Sequence, residues 1–243
     1  MNNNPTVLEI KLSSLEHNLN FFRSKLQNST KTLAVVKASG YGSDAVSVAQ
    51  YLEQQGVDYF AVAYTDEGIA LRESGVKTPI LVLHPQLQNL ELIIKYKLEP
   101  NLYSKKIFLS FLGIIATAGI HDYPIHLKFN TGLNRLGFKA SDVDFLFPYL
   151  KGQNSILVKS IFSHLVASED ENERQRTLLQ IKKFESIAAS FESFLGFKPM
   201  MHMSNTSGIL NYPESHFDMV RLGLGLYGFS NDTNINSKLK NTL

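Results

Sequence analysis

A lysine, Lys37, stands at the C-terminal end of the apolar run Leu33-Ala34-Val35-Val36 and is followed at once by a Gly- and Ser-containing turn. The run reads as a short strand buried on both faces. A lysine held there between apolar walls loses hydration of its charged form, so its amine becomes a usable nucleophile. Spacing alone fits a lysine that snorkels out of a strand end better. Other polar residues occupy comparable places after apolar runs: Tyr41, Arg135, His164, Asn205, Thr206 and Arg221. His164 by itself reads equally as a hydrogen-bonded core histidine, and Arg135, within Gly132-Leu133-Asn134-Arg135-Leu136-Gly137, as a loop cation. Arg221 is more telling, because an unpaired guanidinium inside the apolar run 219–226 would be costly to bury and calls for an anionic or hydrogen-bond-accepting partner. Two turns could hold an anion. Ser204-Asn205-Thr206-Ser207-Gly208 opens a short helix, whose first N–H groups lack partners, although Ser and Asn also cap helices with no ligand present. Gly223, Leu224 and Gly225 follow the last predicted strand and allow close backbone approach. No pair of histidines or carboxylates has metal-ligand spacing, so no metal site is expected.

These residues converge only if their strands share one end. The pattern predicts strands near 33–36, 58–63, 79–83, 99–103, 124–129, 157–163, 200–203 and 219–222. Helices fall between them, from about Asp44 to Gly56, Thr65 to Ser74, Leu87 to Tyr96, after Ser104, after Ser141, and Glu171 to Phe194, with a short one after 203. Thr6 to Leu12 alternates weakly and reads as a further strand. It leads into a helix carrying Leu15, Leu19, Phe22 and Leu26 on one face, with Ser13-x-x-Glu16 as a capping box. Eight strands alternating with helices, with no long linker, predict a TIM-type (β/α)8 barrel, whose strand C-termini form the active-site face.

The bulk properties exclude several classes. The 243 residues, 44% hydrophobic and 19% charged, suit a soluble domain with a full core. A net charge of +2 without basic clusters gives no pointer to nucleic acid. The apolar stretch 107–120 is interrupted by Ser110, Gly113, Thr117 and Gly119, too short and mixed for a membrane span. Zero cysteines exclude disulfides and thiolate metal sites and fit a cytoplasmic setting. The opening Met-Asn-Asn-Asn-Pro lacks the parts of a signal peptide. No GxxxxGK[ST] motif supports a nucleoside-triphosphate site.

Four segments, in order, resemble alanine racemases: V-V-K-A-S-G-Y-G at 35–42, H-L-K-F-N-T-G-L-N-R-L-G-F at 126–138, H-M-S-N-T-S at 202–207 and V-R-L-G-L-G-L-Y-G at 220–228, with Ser163-His164 as a weaker fifth match. The resemblance implies a barrel that binds pyridoxal 5'-phosphate (PLP), with Lys37 as the Schiff-base lysine and one of two catalytic bases. It implies that Tyr41, Thr206 and the N–H groups of Gly223 and Leu224 hold the cofactor phosphate, with Asn205 alongside. Arg221 resembles the arginine that hydrogen-bonds the pyridine nitrogen, His164 would contact the ring and that arginine, and Arg135 would meet the substrate carboxylate. Lys128 matches a lysine carbamylated in some members. The implied activity is interconversion of L- and D-alanine, supplying D-alanine for peptidoglycan, by a cytoplasmic homodimer.

The sequence departs from the family at Asn130, usually Asp, at Asn134, usually Gly, and at Ser43-Asp44. The barrel is expected over 12–229, with 1–11 and 230–243 as connections to a β-rich C-terminal domain that carries the second base, a tyrosine. The isolated chain is therefore expected to be inactive or weak, and those ends poorly ordered or in non-native contacts. A non-catalytic single-domain PLP-binding homeostasis protein is the competing reading, but such proteins lack the K-A-x-x-Y-G and H-L-K…R-L-G-F segments. A racemase acting on another amino acid is a further alternative.

Overall fold

A computed structural model describes residues 6–152 and 154–243. In chain order the elements are α1 (Leu12–Arg23), β1 (Lys31–Val35), α2 (Lys37–Gly42), α3 (Ala45–Gln54), β2 (Tyr59–Val62), α4 (Thr65–Glu73) and β3 (Ile80–Val82). There follow α5 (Leu90–Lys95), β4 (Glu99–Leu102), α6 (Lys105–Thr117), β5 (Tyr123–Lys128), α7 (Val143–Leu150) and β6 (Ile156–Phe162). The last elements are α8 (Arg174–Leu195), β7 (Met200–His202), α9 (Thr206–Asn211), β8 (Met219–Leu222) and α10 (Thr233–Asn236). The eight strands close in sequence order into one parallel barrel, β8 pairing with β1. The fold is the (β/α)8 barrel that the alternation of strands and helices predicts.

Period-two alternation divides each strand between two environments. Ala34, Val36, Phe60, Val62, Ile80 and Val82 join the layer between barrel and helices, and α1 adds Leu15, Leu19 and Phe22, each at most 1% exposed. Burying side chains of this size stabilises by about 1.5–3 kcal/mol each. Leu33, Val35, Tyr59, Ala61, Leu81 and Met219 form a separate inner cluster. The opposite half of the interior is polar: His126, Lys128, Ser160, His202 and Arg221 are all buried on β5 to β8. An irregularity between Ile125 and His126 shifts the β5–β6 register by one residue, so that Ile125 pairs with Val158 but His126 with Ser160.

Three expectations need correction. Residues 6–11 form no strand, since a closed barrel offers no free edge for one to join; Lys11 instead donates its N–H to the carbonyl of Thr242 at 2.9 Å. Ser13 and Glu16 form no capping box, because α1 begins at Leu12 without a side-chain cap and Glu16 accepts the Tyr51 hydroxyl at 2.8 Å. The tail 230–243 is not loose. Buried Asn18 donates to the carbonyls of Leu226 and Lys240 and accepts the Lys240 N–H, and Leu239 and Thr242 are buried. Residues 1–5, which carry the rest of the leading stretch and the signal-peptide reading, lie outside the described residues.

Candidate active site

At the C-terminal ends of the strands lies a cavity of about 450 Å³ whose walls include all ten residues singled out from sequence: Lys37, Tyr41, Lys128, Arg135, His164, Asn205, Thr206, Arg221, Gly223 and Leu224. Four of them carry basic side chains, and Glu169 is the one carboxylate among the lining residues. An anionic ligand suits such a wall.

Lys37 is placed by the end of β1 and by an unusual turn. In α2, Ala38, Ser39, Gly40 and Tyr41 have φ of 52°, 52°, 64° and 57°, a left-handed turn. For residues with a Cβ this costs about 1–2 kcal/mol each, so other contacts must hold it. Ala38 donates its N–H to Glu67 Oε1 at 2.7 Å, while Oε2 of the same carboxylate takes the N–H groups of Ala63 and Tyr64 at 2.6 and 3.1 Å. Glu67 thus ties the end of β2 to the lysine turn. The turn sets the Tyr41 ring centre 6.0 Å from Lys37 Nζ and 4.9 Å from the Tyr227 ring. Burial raises the Tyr41 phenol above its ordinary value, which keeps its hydroxyl a donor.

Arg221 is 5% exposed and has no carboxylate partner among the described residues. It donates from Nη1 to His202 Nδ1 at 2.9 Å, and from Nη2 to the carbonyls of Ser163 (2.8 Å) and Met203 (2.9 Å) and to His164 Nδ1 (3.0 Å). Both histidines therefore present a bare Nδ1, and burial followed by Arg221's charge pushes each well below the ordinary imidazole value. Burial also pulls the guanidinium down to about 9, still charged at neutral pH. The buried cation that the sequence flagged is thus met by neutral acceptors, and its Nε–H is uncommitted among the described residues.

Lys128 ends β5, two residues after His126 and on the same inward face. Burial first, then the charges of Arg221, Arg135 and Lys37, lower its amine to about 7. Arg135 lies exposed in the following loop. Asn130 Oδ1 accepts the N–H groups of Gly132 and Asn134, and Asn130 Nδ2 donates to Asn134 Oδ1 at 3.0 Å. Asn134 has φ 56°, a conformation that Asn tolerates better than most residues and Gly adopts freely. The two departures from the family are therefore bonded to each other, and together they shape the loop that carries Arg135.

The opposite end of the cavity is built for backbone approach. Thr206 Oγ1 accepts the Gly225 N–H at 3.3 Å and retains its hydroxyl hydrogen. Asn205 Oδ1 is committed to capping α9, taking the Gly208 N–H at 2.9 Å and the Ser168 hydroxyl at 2.7 Å, so only its amide nitrogen is left for a ligand. Gly223 and Leu224 open a single 3₁₀ turn, where the first N–H groups have no partner within the turn. A Cβ on Gly225 would come within 2.5 Å of the Phe22 ring.

Sequence reasoning assigned no role to His202, Ser163 and Glu67, which fix Arg221 and Lys37. It also passed over Tyr64, His84 and Phe162 in the cavity wall. The signal for His202 was present: an imidazole inside the apolar run 200–203 raises the same question of a buried partner as Arg221. Glu67 carried none, since a glutamate in the first turn of a helix is ordinary.

The family model described as alanine racemase, N-terminal domain, matches residues 10–231. An alanine racemase of Thermodesulfovibrio yellowstonii is 38% identical over 224 residues, covering 91% of this chain and 59% of its own length. Alanine racemase 2 of Oceanobacillus iheyensis is 33% identical, covering 95% and 58%. Among solved structures, an alanine racemase of Clostridium difficile 630 in complex with cycloserine superposes with a TM-score of 0.91 at 31% identity, over 99% of this chain and 66% of that one. The chain thus spans about three fifths of the length of the curated relatives it matches. Over that span, the chain belongs to the alanine racemase family.

Proposed function

We propose that this chain is the PLP-binding barrel of an enzyme that interconverts L- and D-alanine, with Lys37 as the attachment point and one of the two bases. The observation that carries the reading is the single cavity in which a strand-end lysine, a buried arginine held by neutral acceptors, and a hydroxyl-and-amide cradle meet. PLP fits these residues. The cradle is shaped for it, since a Cβ on Gly223 would meet Tyr41 Oη at 2.8 Å, and its donors suit a phosphate. Tyr41, Thr206, Gly223 and Leu224 would hold that phosphate, with Asn205 lending its amide nitrogen. When bound, PLP supplies the electron sink that acidifies the substrate Cα–H.

Each protein group then has a defined task. The Arg221 Nε–H would donate to the ring nitrogen of bound PLP and, as a guanidinium, would yield no proton to it at neutral pH. His164, kept neutral, braces Arg221 from the cavity side. Lys37 Nζ takes and returns a proton on one face of Cα, and the general base on the other face is the tyrosine of the family's C-terminal domain. Arg135 orients the substrate carboxylate. The Lys128 amine, substantially neutral near pH 7, can attack CO2, losing a proton and forming a carbamate that would pair with the Arg135 cation. The same reading includes D-alanine supply for the cell wall and, for the full-length protein, a cytoplasmic homodimer. No helix among the described residues is long and apolar enough to cross a membrane. The homeostasis-protein alternative is not favoured, because the similarity is to alanine racemases throughout.

Borohydride reduction of the PLP-loaded chain followed by peptide mapping should place the cofactor on Lys37. In deuterated water the chain should exchange the α-proton of D-alanine slowly and Lys37→Ala not at all, with racemisation by the chain alone barely detectable. Attachment to another lysine overturns the assignment, and full racemisation by these 243 residues overturns the two-base division.

A further inference from the structure

Behind Arg221 a line of polar groups runs down through the barrel. His202 Nε2 lies 3.0 Å from Ser160 Oγ, Ser160 Oγ 2.6 Å from His126 Nδ1, and His126 Nε2 2.6 Å from Glu99 Oε2. Ser160, His126 and His202 are fully buried, and Glu99, at the start of β4, reaches the opposite mouth with its side chain 12% exposed. Tyr59 packs edge-on against His126.

Donor counting fixes the direction of every bond. Arg221 has only donors, so His202 Nδ1 accepts and its proton sits on Nε2, which donates to Ser160 Oγ. The serine hydrogen then has one partner in reach, His126 Nδ1, and His126 carries its own proton on Nε2, facing Glu99. Were His126 doubly protonated, Ser160 would accept twice and its own hydrogen would be left unpaired in the core, which such cores avoid. From this we infer that Glu99, His126 and Ser160 form a one-way hydrogen-bond relay, ending on a carboxylate, that takes up the Nε2–H of His202, whose tautomer Arg221 sets, and so helps position His202 and Arg221 from the far side of the barrel. Bonds aligned in one sense polarise one another, which strengthens His202 Nδ1 as the acceptor holding the guanidinium. These three are positioning residues. Their link to the cofactor rests on the function proposed above, whereas the relay itself does not.

The test is nitrogen-15 NMR of the histidine rings in the whole chain at pH 7.5, with and without PLP. The expected pattern is a neutral Nε2–H tautomer for both His202 and His126. Nδ1–H on His202, or a doubly protonated His126, overturns the relay. In Glu99→Leu the His126 Nε2–H loses its acceptor, so its nitrogen-15 and proton resonances should shift, while Ser160 keeps His126 Nδ1 an acceptor and His202, pinned by Arg221, keeps Nε2–H. PLP should then bind about tenfold more weakly, on the scale of one lost buried hydrogen bond. Glu99→Gln, which retains an acceptor oxygen, should restore both the His126 resonance and the affinity. A side chain that only filled space would leave the His126 Nε2–H resonance alone, so an unchanged resonance in Glu99→Leu also overturns the relay. The intact-chain spectrum decides the matter if that variant fails to fold. Tautomers as assigned, with no PLP reducible onto Lys37, would support the relay and overturn the cofactor reading instead.

Discussion

Gly223 and Tyr41 approach so closely that a single methyl group on the glycine would lie 2.8 Å from the tyrosine hydroxyl oxygen. The Tyr41 ring is packed against Tyr227 and cannot swing away freely. Gly223→Ala should therefore displace the hydroxyl and weaken PLP binding by about tenfold, the equivalent of one charge-assisted hydrogen bond. Titration of cofactor absorbance measures this, and unchanged affinity would remove Tyr41 from the cradle.

Lys128 should make stability depend on pH. Its amine is held at about 7 in the fold, below the unfolded value. Between pH 7 and about 10.4 the unfolded chain thus binds the extra proton, and stability rises with pH across that window. Below pH 7 both states are charged and the full burial penalty applies. Lys128→Met should raise the urea midpoint at pH 6.5, with the advantage shrinking by pH 9.5. A constant difference would show that Lys128 is charged throughout.

Replacing Arg221 with Leu would strip four acceptors of their donor: His202 and His164 Nδ1 and the carbonyls of Ser163 and Met203. A loss of about 3–5 kcal/mol is expected, read from urea denaturation. A loss below 1 kcal/mol would mean that water replaces the guanidinium.

Asn18 closes the tail onto α1 through two part-buried hydrogen bonds to Lys240, beside a buried one to Leu226. Asn18→Leu should cost about 2–4 kcal/mol and expose residues 230–243 to proteolysis. Limited digestion that cuts the variant no faster than the parent would refute the clasp.

The strands were legible because most of them are short apolar runs, and nine of the ten candidate site residues because they follow such runs or sit in the glycine turns behind them; Lys128 was legible only through the resemblance to alanine racemases. What stayed hidden has specific causes. The strand expected over 6–12 satisfied alternation, but pairing depends on a free edge, which only the closed topology reveals. His126 meets Ser160 because the β5–β6 register slips by one, and no local pattern marks a slip. In the lysine turn Gly40 permits a positive φ, but Ala38, Ser39 and Tyr41 give no hint of sharing it.

That turn also has a consequence for chirality. A run of positive φ is the mirror image of right-handed helical backbone, so D-residues prefer it by the energy with which L-residues avoid it. Position 38 should accept glycine without the usual loss, and a semisynthetic chain with D-alanine there should be more stable than the natural one by about 1–2 kcal/mol. In a chain proposed to act on both hands of alanine, one alanine of its own already holds the backbone geometry that suits the opposite hand.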